Sequence, residues 1–174
     1  MKKLNIGCGM DVRPDYINLD CAQLPDVDVV HDLNSLPLPF KDAEFDEVLC
    51  SHIIEHLEYI PLLKDLYRIL KKGGRLVILT THFTSMTSYV DPTHIKVFTV
   101  RTFDYFANDY AHCHYFDFHF AKVDSRILFR KGILFYDYLI EPLVNLNCKV
   151  QLLYEMTLLS RIFPAIGLKV ILTK

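Results

Sequence analysis

The chain has 174 residues, 51% of them hydrophobic, with a formal net charge of −2. That length and apolar content suit one folded domain over residues 1–174 and exclude a largely disordered protein. The charge provides no global attraction for nucleic acid, so no nucleic-acid partner is expected.

The chain opens on Lys3-Leu4-Asn5-Ile6-Gly7-Cys8-Gly9, an apolar run ending in two glycines one residue apart. A buried parallel strand entering a tight turn has this pattern. Glycine reaches φ > 0, and its missing Cβ lets a ligand approach the main chain. Residues 16–20 read as a second strand ending on Asp20. The intervening segment is short for a strand–helix–strand crossover, and Pro14 restricts it further, so the first helix is expected to be one turn or absent. A third strand is expected at 27–31, just before Asp32, followed by a Pro-rich loop at 33–40 and a polar turn at 42–46. Residues 47–52 read as the fourth strand. Helical periodicity runs from 59 to 72, with Lys71-Lys72-Gly73-Gly74 as its stop, and 75–81 reads as the fifth strand. Beyond it the expectations are a loop at 82–88, a Thr-capped helix at 99–106 and a sixth strand at 118–129. Apolar helices follow at 133–147 and 152–163, the second ended by Pro164, then a last strand at 167–172. The alternation argues for a parallel sheet with helices on its faces.

No apolar run is long enough to span a bilayer, and the N-terminal run is too short for a signal-peptide core. Five cysteines without a C-x-x-C pair read as thiols in a reducing compartment. A cytoplasmic location is expected.

Three strand ends each carry a candidate ligand contact: the glycine turn, Asp20 and Asp32. Ligands of open α/β sheets sit at the carboxyl ends of the strands. An ionised carboxylate only accepts hydrogen bonds, which suits Asp20 to ribose hydroxyls and Asp32 to an exocyclic amine such as adenine's. No lysine or arginine stands beside the glycine turn, so the pocket suits an uncharged or cationic nucleoside better than a phosphate. Of the eight histidines, His52, His56, His82 and His94 fall at or after strand ends. His94, in the stiff Asp91-Pro92-Thr93-His94 loop, reads as a base or substrate contact, and His82 as a weaker one. His56 reads as packing at a helix start. The spacing of His112, His114 and His119 beside Cys113 matches no metal pattern, and no metal site is expected. The aromatic stretch 98–120 reads as core packing mixed with a lid over the acceptor.

These segments resemble the class I S-adenosylmethionine-dependent methyltransferases, in the small type 11-like branch. The glycine turn resembles the family's first motif. Asp20 and Asp32 stand where that family has its ribose-binding acid and its adenine-side acid. Phe45-Asp46-Glu47-Val48-Leu49-Cys50-Ser51-His52-Ile53-Ile54-Glu55-His56-Leu57 resembles the fourth-strand motif, and Asp91-Pro92-Thr93-His94 a segment found in part of the family. The family usually has an acid where this chain has Asn5, and often a third glycine where it has Asp11. The resemblance implies a Rossmann-like, mostly parallel seven-stranded sheet flanked by helices, in the order 3-2-1-4-5-7-6, with a reduced first helix. It implies S-adenosyl-L-methionine as cofactor, contacted by Asn5, Gly7, Cys8, Gly9, Asp20, Cys21, Asp32, Leu33, Asn34, Cys50, Ser51 and His52. His94 and His52 are the catalytic candidates. A small molecule or glycan precursor is expected as methyl acceptor. A non-catalytic S-adenosylmethionine-binding module is the alternative, and a nicotinamide enzyme is disfavoured by the short first crossover.

Overall fold

The computed structural model describes residues 1–132 and 137–174. Seven strands form one sheet: β1 (Lys3–Ile6), β2 (Ile17–Asp20), β3 (Val29–Val30), β4 (Phe45–Ser51), β5 (Leu70–Thr81), β6 (Lys122–Leu128) and β7 (Gly167–Thr173). Their order is β3-β2-β1-β4-β5-β7-β6, as the sequence led us to expect. Strands β1 to β5 pair in parallel, whereas β7 runs antiparallel to both β5 and β6. The central strand β1 lies between β2 and β4, with Leu4 facing Ile17 on one side and Val48 on the other. Leu4, Ile6, Val48, Cys50, Leu76 and Ile78 have no exposed surface. Each fully buried aliphatic side chain of this kind contributes about 1.5–3 kcal/mol.

The crossover from β1 to β2 contains turns and no helix, which is the reduced first helix expected from Pro14. Helix α1 (Tyr59–Ile69) buries Leu62, Leu63, Leu66 and Ile69 on one face, spaced for a single stripe. Asp65 on this helix accepts from the Leu38 N–H at 2.8 Å and from Arg68 Nε at 2.6 Å. Arg68 also donates to the Phe40 carbonyl at 2.8 Å, which fastens the Pro-rich loop to the helix.

Several local expectations are corrected. The helix does not reach Lys71-Lys72-Gly73-Gly74. It ends at Ile69, and the backbone is extended from Leu70 onward. Phe45 already pairs with Leu70, and the register then shifts before Glu47 meets Arg75. The glycines serve that irregularity: Gly73 has φ +77°, and a Cβ on Gly74 would lie 2.8 Å from the Lys71 carbonyl oxygen. The third strand is only Val29–Val30, since its partner β2 offers it just Leu19 and Asp20. The fourth begins earlier, at Phe45. The 99–106 segment is a 3-10 turn over Thr102–Phe106 without a side-chain cap, because Arg101 stands at the N-cap and has no acceptor, while the Thr102 hydroxyl accepts from the Thr99 N–H at 2.9 Å. The sixth strand is shorter than 118–129, with Phe118 and Phe120 buried ahead of it.

The expected helix over 133–147 lies partly outside the described residues. What is described is α3 (Asp137–Val144), after the one-turn α2 (Thr87–Val90). The 152–163 helix is two pieces, α4 (Cys148–Met156) and α5 (Leu159–Ile162). Asn147 starts α4, its side chain accepting from the N–H groups of Lys149 and Val150. No helix among the described residues is long and apolar enough to cross a membrane.

Candidate active site

The carboxyl ends of β1, β2 and β4, with the segment after β3, converge on one edge of the sheet. Gly7 leaves β1 with φ +60°, and a Cβ there would meet Ile53 Cγ1 at 2.6 Å. The close approach of Ile53 therefore requires glycine at position 7. Gly9, with φ +49°, has open space where a Cβ would be, so a ligand can approach its main chain. Its N–H donates to Asp20 Oδ2 at 2.8 Å, while Asp20 Oδ1 accepts from the Ala22 N–H at 2.9 Å. Burial alone would push the Asp20 carboxyl up, but the Ala22 and Gly9 amides and the Cys21 thiol hold it below its ordinary value. The turn thus carries a fixed anion beside an open backbone.

The other residues expected to touch a cofactor divide into two groups. Asn5 is buried, and its Nδ2 donates to the Asp11 carbonyl at 2.8 Å and to Asn18 Oδ1 at 3.2 Å, so its side chain braces the turn from beneath. Cys8, Leu33 and Cys50 are buried; the Cys8 N–H donates to the Leu19 carbonyl at 3.1 Å, its carbonyl accepts from the Asp11 N–H at 2.8 Å, and Cys50 pairs with Ile6 and Ile78 in the sheet. Burial pushes the Cys8 thiol up, and burial with the Glu55 charge does the same for Cys50, so both stay protonated. Cys21, Asp32, Asn34 and His52 are exposed, and Ser51 is half-buried. Asp32 Oδ1 accepts from both the backbone N–H and the side-chain amide of Asn34, at 2.9 and 3.0 Å.

His52 follows β4 directly with φ +52°, a conformation that costs a non-glycine residue about 1–3 kcal/mol. It is held there by its N–H, which donates to the Leu79 carbonyl at 2.8 Å. Its Nδ1 lies 3.5 Å from Glu55 Oε1, and this carboxylate raises the imidazole above its ordinary value. Glu55 is completely buried, and Thr80 Oγ1 donates to its Oε2 at 3.0 Å. Burial alone would push its carboxyl up, yet His52, Thr80 and the backbone keep it ionised. Its Oε1 accepts no hydrogen bond, since 3.5 Å from His52 is an ion-pair distance and too long for one.

Beside these residues lies a cavity of about 440 Å³, lined by His52, Glu55, His56, Thr81, Thr87, Val90, Asp91 and His94. The Asp91-Pro92-Thr93-His94 loop forms its far wall, secured by the N–H groups of Ile95 and Lys96, which both donate to the Glu55 carbonyl oxygen, at 2.9 and 3.2 Å. His94 thus stands at the cavity with His52. His82 does not. It is fully buried, bonded to Glu155 Oε1 at 3.0 Å and Thr84 Oγ1 at 2.6 Å, and belongs to the packing beneath the loop. His119 donates to the Cys113 carbonyl at 2.8 Å. The aromatic stretch is mainly core: Phe98, Phe103, Phe106, Phe118 and Phe120 are buried, with Phe98 stacked on Phe103 at 5.5 Å.

Residues 4–78 match the methyltransferase domain family. A protein of Methanocaldococcus jannaschii is 33% identical over 109 residues, covering 58% of this chain and 47% of that protein. A demethylmenaquinone methyltransferase of Listeria welshimeri is 32% identical over 88 residues, 44% of this chain and 37% of that enzyme. The chain therefore spans less than half the length of these relatives. An S-adenosylmethionine-dependent methyltransferase from Archaeoglobus fulgidus shares the fold with a TM-score of 0.62 at 21% identity, over 99% of this chain and 86% of that one. A second, from Mesorhizobium loti, has a TM-score of 0.56 at 16% identity, over 99% and 90%. The chain shares the fold of these S-adenosylmethionine-dependent methyltransferases, strand order included. The glycine turn fits S-adenosylmethionine: Gly9 leaves room at the main chain, Asp20 is an ionised acceptor, and no phosphate has to be neutralised.

Four members of the cavity were legible only as two separate pairs. Glu55 and His56 sit in one quoted motif, Asp91 and His94 in another, and nothing in their spacing joins the two. A buried glutamate in an otherwise apolar turn was the signal available.

Proposed function

We propose that the chain transfers a methyl group from S-adenosylmethionine to a small molecule. The observation that carries this reading is the contact between the two halves of the site. The Asp20-clamped glycine turn packs on Ile53, and Ile53 belongs to the segment whose His52, Glu55 and His56 line the cavity. When bound, the cofactor supplies a methyl group on a sulfonium, activated for direct displacement. Asp20 would accept from the ribose hydroxyls, and Asp32 with Asn34 would flank the adenine. The main chain from Gly7 to Gly9 would face the methionyl end. Cys50, by its main chain, and Ser51 would border the methyl group. The cavity would then hold the acceptor, positioned for in-line attack. His52 and His94 are the groups placed to take the acceptor's proton.

A small acceptor fits a cavity of about 440 Å³, within the usual range for small-molecule sites. Similarity to an enzyme named as a demethylmenaquinone methyltransferase points the same way, towards a small molecule rather than a polymer. A glycan precursor remains the second acceptor class to screen. A cytoplasmic location accords with this reading.

The test is calorimetric titration with S-adenosylhomocysteine. The wild type should bind it. Asp20→Ala should weaken binding by about 10- to 100-fold, the loss expected for a charge-assisted hydrogen-bond acceptor. Equal binding by the two proteins would overturn the assignment of the ribose site. Labelled-methyl incorporation into hydroxylated small molecules separates enzyme from binding module: firm cofactor binding without any incorporation would favour the module.

A further inference from the structure

At the cavity mouth, His56, Asp91 and His94 each place a ligand atom within 4.8 Å of the other two. The three come from two separate segments, the 3-10 turn Ile54–His56 and the 91–94 loop. Their positions are not those of free surface side chains. The loop is anchored by two amides on the Glu55 carbonyl, and the rings of His56 and His94 meet edge to face at 4.6 Å. We propose that His56, Asp91 and His94 bind a divalent transition-metal ion, with its remaining coordination positions opening into the cavity.

The hydrogen bonds around the three side chains are those a metal site needs. The Thr93 hydroxyl donates its single proton to Asp91 Oδ1 at 2.6 Å, so in its 2.8 Å contact with His56 Nδ1 it must accept. His56 therefore carries its proton on Nδ1 and has its lone pair on Nε2. His94 Nδ1 lies 3.4 Å from the Ser88 carbonyl oxygen, which can only accept, and the same tautomer follows. Asp91 Oδ1 takes the Thr93 hydroxyl and the Thr93 N–H, leaving Oδ2 free. Ligating histidines characteristically donate the other ring N–H to a carbonyl or to another polar group in this way, which orients the ring and fixes the tautomer. Two imidazoles and one carboxylate with open positions is the donor set of zinc, iron(II), manganese, cobalt and nickel sites.

A second feature makes the cavity favourable to a cation. Glu55 lines the same cavity, is completely buried, and has one oxygen without a hydrogen bond. The His52 imidazole at 3.5 Å meets part of that charge, and the carboxylate adds negative potential to the cavity wall beside the cluster. The inference rests on this cluster and does not need the methyl-transfer reading to hold. If that reading holds, the ion would receive an oxygen of the acceptor, and His52 alone would take its proton, since the His94 lone pair is then on the ion.

The experiment uses untagged, chelator-treated protein titrated with cobalt(II), followed by calorimetry and visible absorption. One ion per chain should bind, with the d–d bands of a nitrogen–oxygen site. His94→Ala and Asp91→Asn should each weaken binding by at least about 100-fold. Thr93→Val should cost about 10- to 100-fold, as outer-shell losses do. His112→Ala, at a surface histidine outside the cluster, should change nothing. S-Adenosylhomocysteine binding should survive every substitution, which reports that the variants are folded and keeps this test separate from that of the cofactor site. In wild-type protein, cobalt(II) should first shift the NMR signals of residues 54–56 and 91–96. Stoichiometric binding that is lost with His112→Ala but kept in His94→Ala, or no binding to wild type, would overturn the proposal.

Discussion

Asp20 shows how one side chain can be both a brace and a binding group. Its two oxygens hold the amides of Gly9 and Ala22 and still have lone pairs to offer. Because those bonds form to the ionised group, its folded-state pKa lies below the ordinary 3.8. The stability it contributes is complete above that value and is lost as the pH falls through the lower folded value. Acid unfolding followed by circular dichroism should therefore be less steep below about pH 4 in Asp20→Asn than in wild type. Parallel curves would mean that the amide bonds are equally strong with a neutral acceptor. His52 is the complementary case, held in a left-handed conformation that a glycine would adopt freely. Asp20 could be read from its place at the end of an apolar run. The backbone of His52 could not, since nothing in its neighbours announces φ +52°.

Among the elements, the junction of α1 and β5 departs most from expectation. Lys71-Lys72-Gly73-Gly74 has the composition of a helix end, yet Lys71 leaves the helix and pairs with Asp46 at 2.9 Å. The cation that serves the helix end comes from far away in sequence. Lys174 Nζ donates to the Tyr67 and Leu70 carbonyl oxygens at 2.7 and 2.8 Å and lies 4.4 Å from the centre of the Tyr67 ring. A cation placed there meets the negative end of the helix dipole. Lys174→Met should lower stability by about 1–2 kcal/mol. For a chain of this size the melting temperature should drop by roughly 3–6 °C. An unchanged melting temperature would show that water satisfies those carbonyls as well. The parallel strands were legible because each is a short apolar run next to a glycine or an acid. The last helices were less so: 152–163 is mostly apolar, and the break near Thr157 has no glycine or proline to mark it.

Across the whole molecule, the site depends on pairings distant in sequence. The glycine turn and Asp20 are near neighbours in the chain, and their half of the site was readable as such. The cavity half joins residues 52–56 to residues 81–94 through the main chain of Glu55. A linear reading sees two separate motifs there. Backbone pairing brings them together, with the His82–Phe98 bridge closing the loop back on the sheet. The same arrangement means that the rim loop cannot detach without exposing the Glu55 carbonyl. Ile95 has an exposed side chain, but its amide and that of Lys96 share that oxygen as acceptor. Hydrogen exchange at these two amides should therefore be slow despite their surface position, and should slow further together when a ligand fills the cavity. Exchange as fast as in a free peptide would mean that the loop opens independently. If the two amides do move as one, they form a built-in gauge of occupancy, readable by mass spectrometry before any acceptor has been identified.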